Sequence, residues 1–159
     1  MRRLLLLLGL ILAAGWLLAA CGQGASAAKP PEIHYGVDVA ECGMIISDAR
    51  FAASQVDARG QAVLYDDAGE LALAAQQHGP GTDHLWVHDY DSKDWLDATA
   101  AFYVSSEEFR PQTPMGSGVV AFKTRQQGEV FAAGHQGTVM TWDEMMTGWH
   151  DPGMGMHHG

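Results

Sequence analysis

One pattern, met twice along the chain, limits the possible folds more than any other: two short extended segments, a helix with an explicit cap, and a further strand. In the first copy, residues 51–59 run extended to Gly60 and resume as Gln61-Ala-Val-Leu-Tyr65 before Asp66-Asp67, the form of a hairpin. A helix is predicted next, because Asp67 with Glu70 three residues later has the spacing of a capping box and Leu71, Ala74 and Ala75 share a face. Gly79-Pro80 ends it. His84-Leu-Trp-Val-His-Asp-Tyr90 then alternates as a strand, with Leu85, Val87 and Asp89 on one face and Trp86, His88 and Tyr90 on the other. In the second copy, Ala101-Phe-Tyr-Val-Ser105 and Gly118-Val-Val-Ala-Phe122 are the paired strands. Thr124 with Gln127 caps a helix carrying Val130 and Phe131, Gly137-Thr-Val-Met-Thr-Trp142 is the last strand, and residues 143–149 form a short helical or irregular end. The expected class is α+β with two ββαβ pseudo-repeats, spanning residues 33–98 and 99–148, although residue identity between the copies is thin. Such an arrangement leaves room for a site between the halves.

The N-terminus belongs to targeting. Met1-Arg2-Arg3 is followed by an apolar run from Leu4 to Leu18 and by Leu18-Ala19-Ala20-Cys21, so residues 1–20 read as a signal peptide. The run is shorter than the ~20 residues that cross a bilayer. Its ending resembles the lipobox of bacterial lipoproteins, which implies that Cys21 carries the lipid and that the protein is anchored on the periplasmic side of the envelope, in either membrane. Residues 21–32 lack bulky apolar side chains and are expected to be a flexible tether. Without residues 1–20, Lys plus Arg falls from 9 to 7 against 19 acidic residues, and the formal charge moves from −10 to −12. A surface of that sign repels phosphate backbones, which argues against a nucleic-acid partner.

With Cys21 assigned to the lipid, Cys42 has no partner in an oxidising compartment. It is then either a buried hydrophobe or a thiol kept for a purpose, commonly metal binding. Soft donors are plentiful elsewhere: after the initiator, methionine occurs at 44, 115, 140, 145, 146, 154 and 156. Thiolate and thioether ligands select copper(I), whereas oxygen-rich sets suit calcium or magnesium. In Cys42-Gly43-Met44 an extended backbone would send both sulfurs to the same side; the plain alternative is that Met44 enters the core with Ile45 and Ile46. Thr113-Pro-Met-Gly-Ser-Gly118 sets Met115 in a loop, where an accessible thioether is expected, the alternative being turn chemistry. The end of the chain, residues 149–159, reads as a flexible tail in which Met154, Met156, His157 and His158 could gather metal weakly or be inert. Of the scattered histidines, His88 is the best secondary candidate. Asp66, Asp67, Asp89, Asp91 and Asp94 are most simply solvated loop or cap residues.

Catalytic signatures such as Gly-x-Ser-x-Gly, His-Glu-x-x-His and the P-loop are absent, and Cys42 lies too early in the chain for a cupredoxin, so binding is the better class. Glu41-Cys-Gly-Met-Ile-Ile-Ser-Asp48, followed by Arg50-Phe-Ala-Ala53 and later by Thr113-Pro-Met-Gly-Ser-Gly118 and Ala121-Phe122, resembles the NosL family of copper-binding lipoproteins. The resemblance implies two ββαβ halves similar in architecture to the organomercurial lyase fold, and delivery of copper(I) during maturation of nitrous oxide reductase, to that enzyme or its copper-assembly machinery. It also implies Cys42, Met44 and Met115 as metal residues. A further cysteine that some members carry just upstream is missing here, since Val39-Ala40-Glu41 has none. Three other readings stand beside it: a generic soft-metal-binding lipoprotein, a structural lipoprotein with Cys42 buried, and an enzyme of the organomercurial-lyase type, whose chemistry draws on more than one cysteine.

Overall fold

The structure, a computed structural model, describes residues 29–79, 81, 83–106 and 112–150. Among the described residues, two antiparallel sheets and three helices follow the predicted order. Strands β1 (Ala53–Val56) and β2 (Ala62–Tyr65) form the first hairpin, helix α1 (Ala68–His78) follows, and β3 (His84–His88) returns to pair with β1. A strand absent from the sequence-based expectation, β4 (Trp95–Asp97), extends this sheet to the order β2-β1-β3-β4. Beyond it, β5 (Phe102–Ser105), β6 (Val119–Phe122), helix α2 (Arg125–His135) and β7 (Thr138–Thr141) make a second sheet ordered β6-β5-β7, and α3 (Trp142–Gly148) closes the described chain. In both sheets, therefore, the strand after the helix pairs with the first strand of the hairpin.

Each helix starts where a side chain can take its orphan amides. Thr124 and Gln127 form a reciprocal capping box on α2, and Thr141 and Glu144 do the same for α3. Such caps contribute about 1 kcal/mol apiece. At α1, Asp67 accepts from Gly69 N, but Glu70 does not complete the box expected there.

Alternation along the strands divides the core into layers. Ala53, Leu85 and Val87 of the first sheet and Tyr103, Val119 and Ala121 of the second face one shared cluster, into which α1 sends Leu71 and α3 sends Trp142 and Met145. The opposite face of the second sheet (Val104, Val120, Phe122) is covered by α2, and the opposite face of the first carries Ile33, Ala40 and Ile46 from the segment before β1. Asp89 stitches the sheets together. Its Oδ1 accepts Lys123 N at 3.0 Å, its Oδ2 accepts Ser92 N at 3.0 Å, and Tyr90 N donates to Ala121 O at 2.8 Å.

Of the acids read as solvated loop or cap residues, three are buried: Asp66, Asp67 and Asp89 are 2%, 0% and 1% exposed, Asp67 as the N-cap of α1. A buried carboxylate persists only where donors surround it. Asp67 and Asp89 have backbone donors, whereas Asp66 receives the Cys42 thiol and leads to the site. Trp149, placed by sequence in the tail, is also buried: Gln76 Nε2 donates to its carbonyl at 3.1 Å and to Met145 O at 3.2 Å.

Candidate metal site

Residues 33–46 cross the outer face of the first sheet and turn back on themselves. Ala40 N donates to Met44 O at 2.8 Å, Gly43 N donates to Ala40 O at 2.9 Å, and Val39 bridges Ile45. Gly43 has φ +86°, the left-handed conformation that a three-residue hairpin loop requires and that glycine adopts without strain. Cys42 and Met44 are therefore not strand neighbours projecting together, as the extended reading had it; they occupy the tip of a tight turn. Both are exposed, Met44 at 39%. Glu41 N, donating to Leu64 O at 2.8 Å, fixes the turn against the edge of β2.

Beneath the turn lies the start of α1. The Cys42 thiol approaches Asp66 Oδ1 at 3.8 Å, and one ligand atom each from Cys42, Asp66 and Glu70 falls within 4.8 Å of the others. Asp66 and Glu70 stand four residues apart, which places both carboxylates on one face of the helix entrance. Burial raises the pKa of Glu70 to about 7, helped by the neighbouring Asp66, and its Oε2 is buried with no hydrogen-bond partner. Burial likewise raises Asp66. The Cys42 thiol is raised too, by desolvation first and then by the charges of Glu70 and Asp66, against which a Met44 backbone hydrogen bond works. The residue as a whole is exposed, while its sulfur end is desolvated and lies near two acids. A thiol so placed holds its proton until a cation displaces it.

The second motif reaches the same helix entrance. Met115 N donates to Asp67 Oδ2 at 3.2 Å, so the loop bearing Met115 hangs on the residue next to the one that receives Cys42. Met115 is 45% exposed. The sequence-predicted residues Cys42, Met44 and Met115 thus come from two loops that meet at consecutive aspartates. Six of the eight most exposed large apolar side chains among the described residues lie on these loops: Tyr35, Val37, Val39, Met44, Ile45 and Met115.

Other candidates fall elsewhere. His88 is 4% exposed and packs against Trp95 in a tilted arrangement with ring centroids 3.7 Å apart; its Nδ1 bonds Ala52 O at 3.0 Å and its Nε2 bonds Tyr35 Oη at 3.1 Å, so both ring nitrogens are engaged within the fold. Cys21, Met154, Met156, His157 and His158 lie outside the described residues. What the sequence reasoning missed is the carboxylate pair. The i, i+4 spacing of Asp66 and Glu70 was the available signal, and the helix-cap explanation hid it.

A fold of two antiparallel sheets and three helices among the described residues, with a thiol and two carboxylates at the entrance of α1 and exposed methionines on the two loops that meet there, defines a candidate metal-binding α+β protein. Residues 30–149 match the NosL family model, and the chain belongs to the NosL family. It is 28% identical over 166 residues to the copper-binding lipoprotein NosL of Stutzerimonas stutzeri, an alignment covering 96% of this chain and 85% of that protein. The crystal structure of the copper chaperone NosL from Shewanella denitrificans superposes with a TM-score of 0.63 at 15% identity, covering 77% of this chain and 98% of the other, which shows the shared fold.

Proposed function

We propose that the protein is a copper(I) carrier, without turnover of its own, that passes the ion on by ligand exchange during maturation of nitrous oxide reductase. The observation that carries this reading is the convergence of two methionine-bearing loops on the α1 entrance beside Cys42. Thiolate and thioether donors suit copper(I), and two or three of them at an exposed site leave a position for an acceptor's ligand. The apolar surface concentrated on the same loops is what a partner from the copper-assembly machinery needs in order to dock there. In this reading Cys21 carries a lipid that holds the protein on the periplasmic side of the envelope, residues 21–32 are the tether, and Met154, Met156, His157 and His158 form a secondary metal-gathering arm.

One observation favours a second reading. Cys42, Asp66 and Glu70 offer one sulfur and two oxygens, a set better matched to a borderline divalent ion such as zinc.

The test is an anaerobic competition titration of residues 22–159 with copper(I), beside Cys42→Ala, Met115→Ala and a truncation after His150, which spares the buried Trp149. One-to-one binding that collapses without Cys42, weakens without Met115 and survives truncation supports the carrier. Binding lost only with the tail refutes a site in the fold, and a preference for zinc over copper(I) that depends on Glu70 selects the second reading.

A further inference from the structure

We infer that Asp67, acting with Ser117 and Gly69, is the positioning residue that sets Met115 against Cys42, so that one buried carboxylate makes a single site out of two loops. The inference rests on the copper(I) reading above and concerns a residue that does not itself touch the ion.

Asp67 is 0% exposed and both its oxygens are occupied. Oδ1 accepts Gly69 N at 2.7 Å and the Ser117 hydroxyl at 2.5 Å; Oδ2 accepts Met115 N at 3.2 Å. It stands outside the group formed by Cys42, Asp66 and Glu70, although it follows Asp66 directly in the chain. Its acceptors are spent on the helix start and on the second loop, which is the work of a clamp and not of a ligand.

The other side of the clamp is steric. A Cβ at Gly69 would stand 2.3 Å from Ser117 Cβ and 2.6 Å from its Oγ, well inside contact distance. Ser117 has no room to retreat: it is 3% exposed, its Oγ also accepts Val119 N at 3.1 Å, and Thr113 Oγ1 lies 3.4 Å away. Alanine would favour the helix at position 69, so glycine there is explained by the closeness of the loop. The connection from thiol to thioether segment is thus short and continuous, from Cys42 to Asp66 Oδ1, along the chain to Asp67, and from Asp67 Oδ2 to Met115 N. Partners that orient metal-binding residues typically control affinity by ten- to a hundredfold.

The experiment measures copper(I) affinity by chelator competition, sulfur coordination by X-ray absorption, and hydrogen exchange of the Met115 amide in the metal-free protein. Asp67→Asn keeps a capping oxygen and the side-chain volume while turning one acceptor into a donor; Ser117→Ala and Gly69→Ala attack the clamp from the other side. Each variant is expected to expose the Met115 amide to exchange, to lose one sulfur from the copper shell, and to weaken affinity about tenfold. Adding Met115→Ala to Asp67→Asn is expected to cost nothing further, because both changes remove the same ligand. Additive losses, or an unchanged affinity with the full sulfur count, overturn the inference. Failure of the underlying reading is distinct: Met115→Ala alone then leaves copper(I) binding unchanged, and the inference falls with it. Should Asp67→Asn not fold, Ser117→Ala decides, since it deletes one hydroxyl and leaves the cap intact.

Discussion

The two methionine-bearing loops are held in opposite ways. Residues 33–46 rest on the first sheet through Ile33, Ala40 and Ile46, while Cys42 and Met44 on the turn are themselves exposed. Residues 113–118 are fixed from inside, with Thr113 and Ser117 buried and Met115 N bonded to Asp67. Contact density of this kind sets local stability, so the first loop is the side that yields to an incoming ligand and the second is the side that keeps its geometry. An exchange site benefits from that asymmetry.

Removing the thiol breaks the comparison most severely. Cys42→Ala is expected to weaken copper(I) binding at least a hundredfold, about 2.7 kcal/mol, with the metal-free fold intact because the side chain is exposed; unchanged affinity would sink the carrier reading. Next comes Asp67→Ala, which removes a cap and strands the buried donors of the second loop. A stability loss of about 2–3 kcal/mol is expected in urea, and a loss under about 0.5 kcal/mol would mean that the second loop is no better anchored than the first.

A smaller effect separates the acids from the sulfurs. Burial holds Glu70 near pKa 7 in place of the ordinary 4.5, so the folded state retains a proton that the unfolded chain releases. The stability tied to this group is full below pH 4.5 and is lost as pH rises through about 7. Glu70→Gln is expected to remove that slope and to stabilise the metal-free protein at pH 8 by on the order of 1–2 kcal/mol; equal slopes in variant and wild type would assign the effect to another group. Smallest of all, Val37→Ser and Ile45→Ser on the exposed turn are expected to move the unfolding free energy by less than about 0.5 kcal/mol. A larger loss there would show that the first loop also stabilises the fold.

Most of the fold was written in punctuation. Gly60, Asp67, Gly79 and the Thr124–Gln127 pair are local signals whose meaning does not depend on distant residues, and the elements start or stop where they stand. Even α3 carried a readable Thr141–Glu144 box. The strand β4 was not legible: it is three residues long and exists because Leu96 finds Val87 across the sheet. The site divides in the same way. Cys42, Met44 and Met115 stand out by residue type alone, whereas Asp66 joins them through a contact 24 positions away and Asp67 through one 48 away, which no local pattern announces. The turn at Gly43 had a local signal too, a glycine between two sulfur residues, but an extended reading accounted for it equally well until the backbone bonds were known.

The apolar cluster shared by both sheets, together with the Asp89 stitch, bears on how such a protein ends its life as well as how it works. The two sheets share one core cluster, in which Leu85 and Val87 of the first lie with Tyr103 and Val119 of the second. Melting in a single cooperative transition is the expected consequence. For a carrier of the kind proposed, cooperativity of that sort would act as containment, since the cargo would leave by hand-over at the exposed loops and not through a half-melted core.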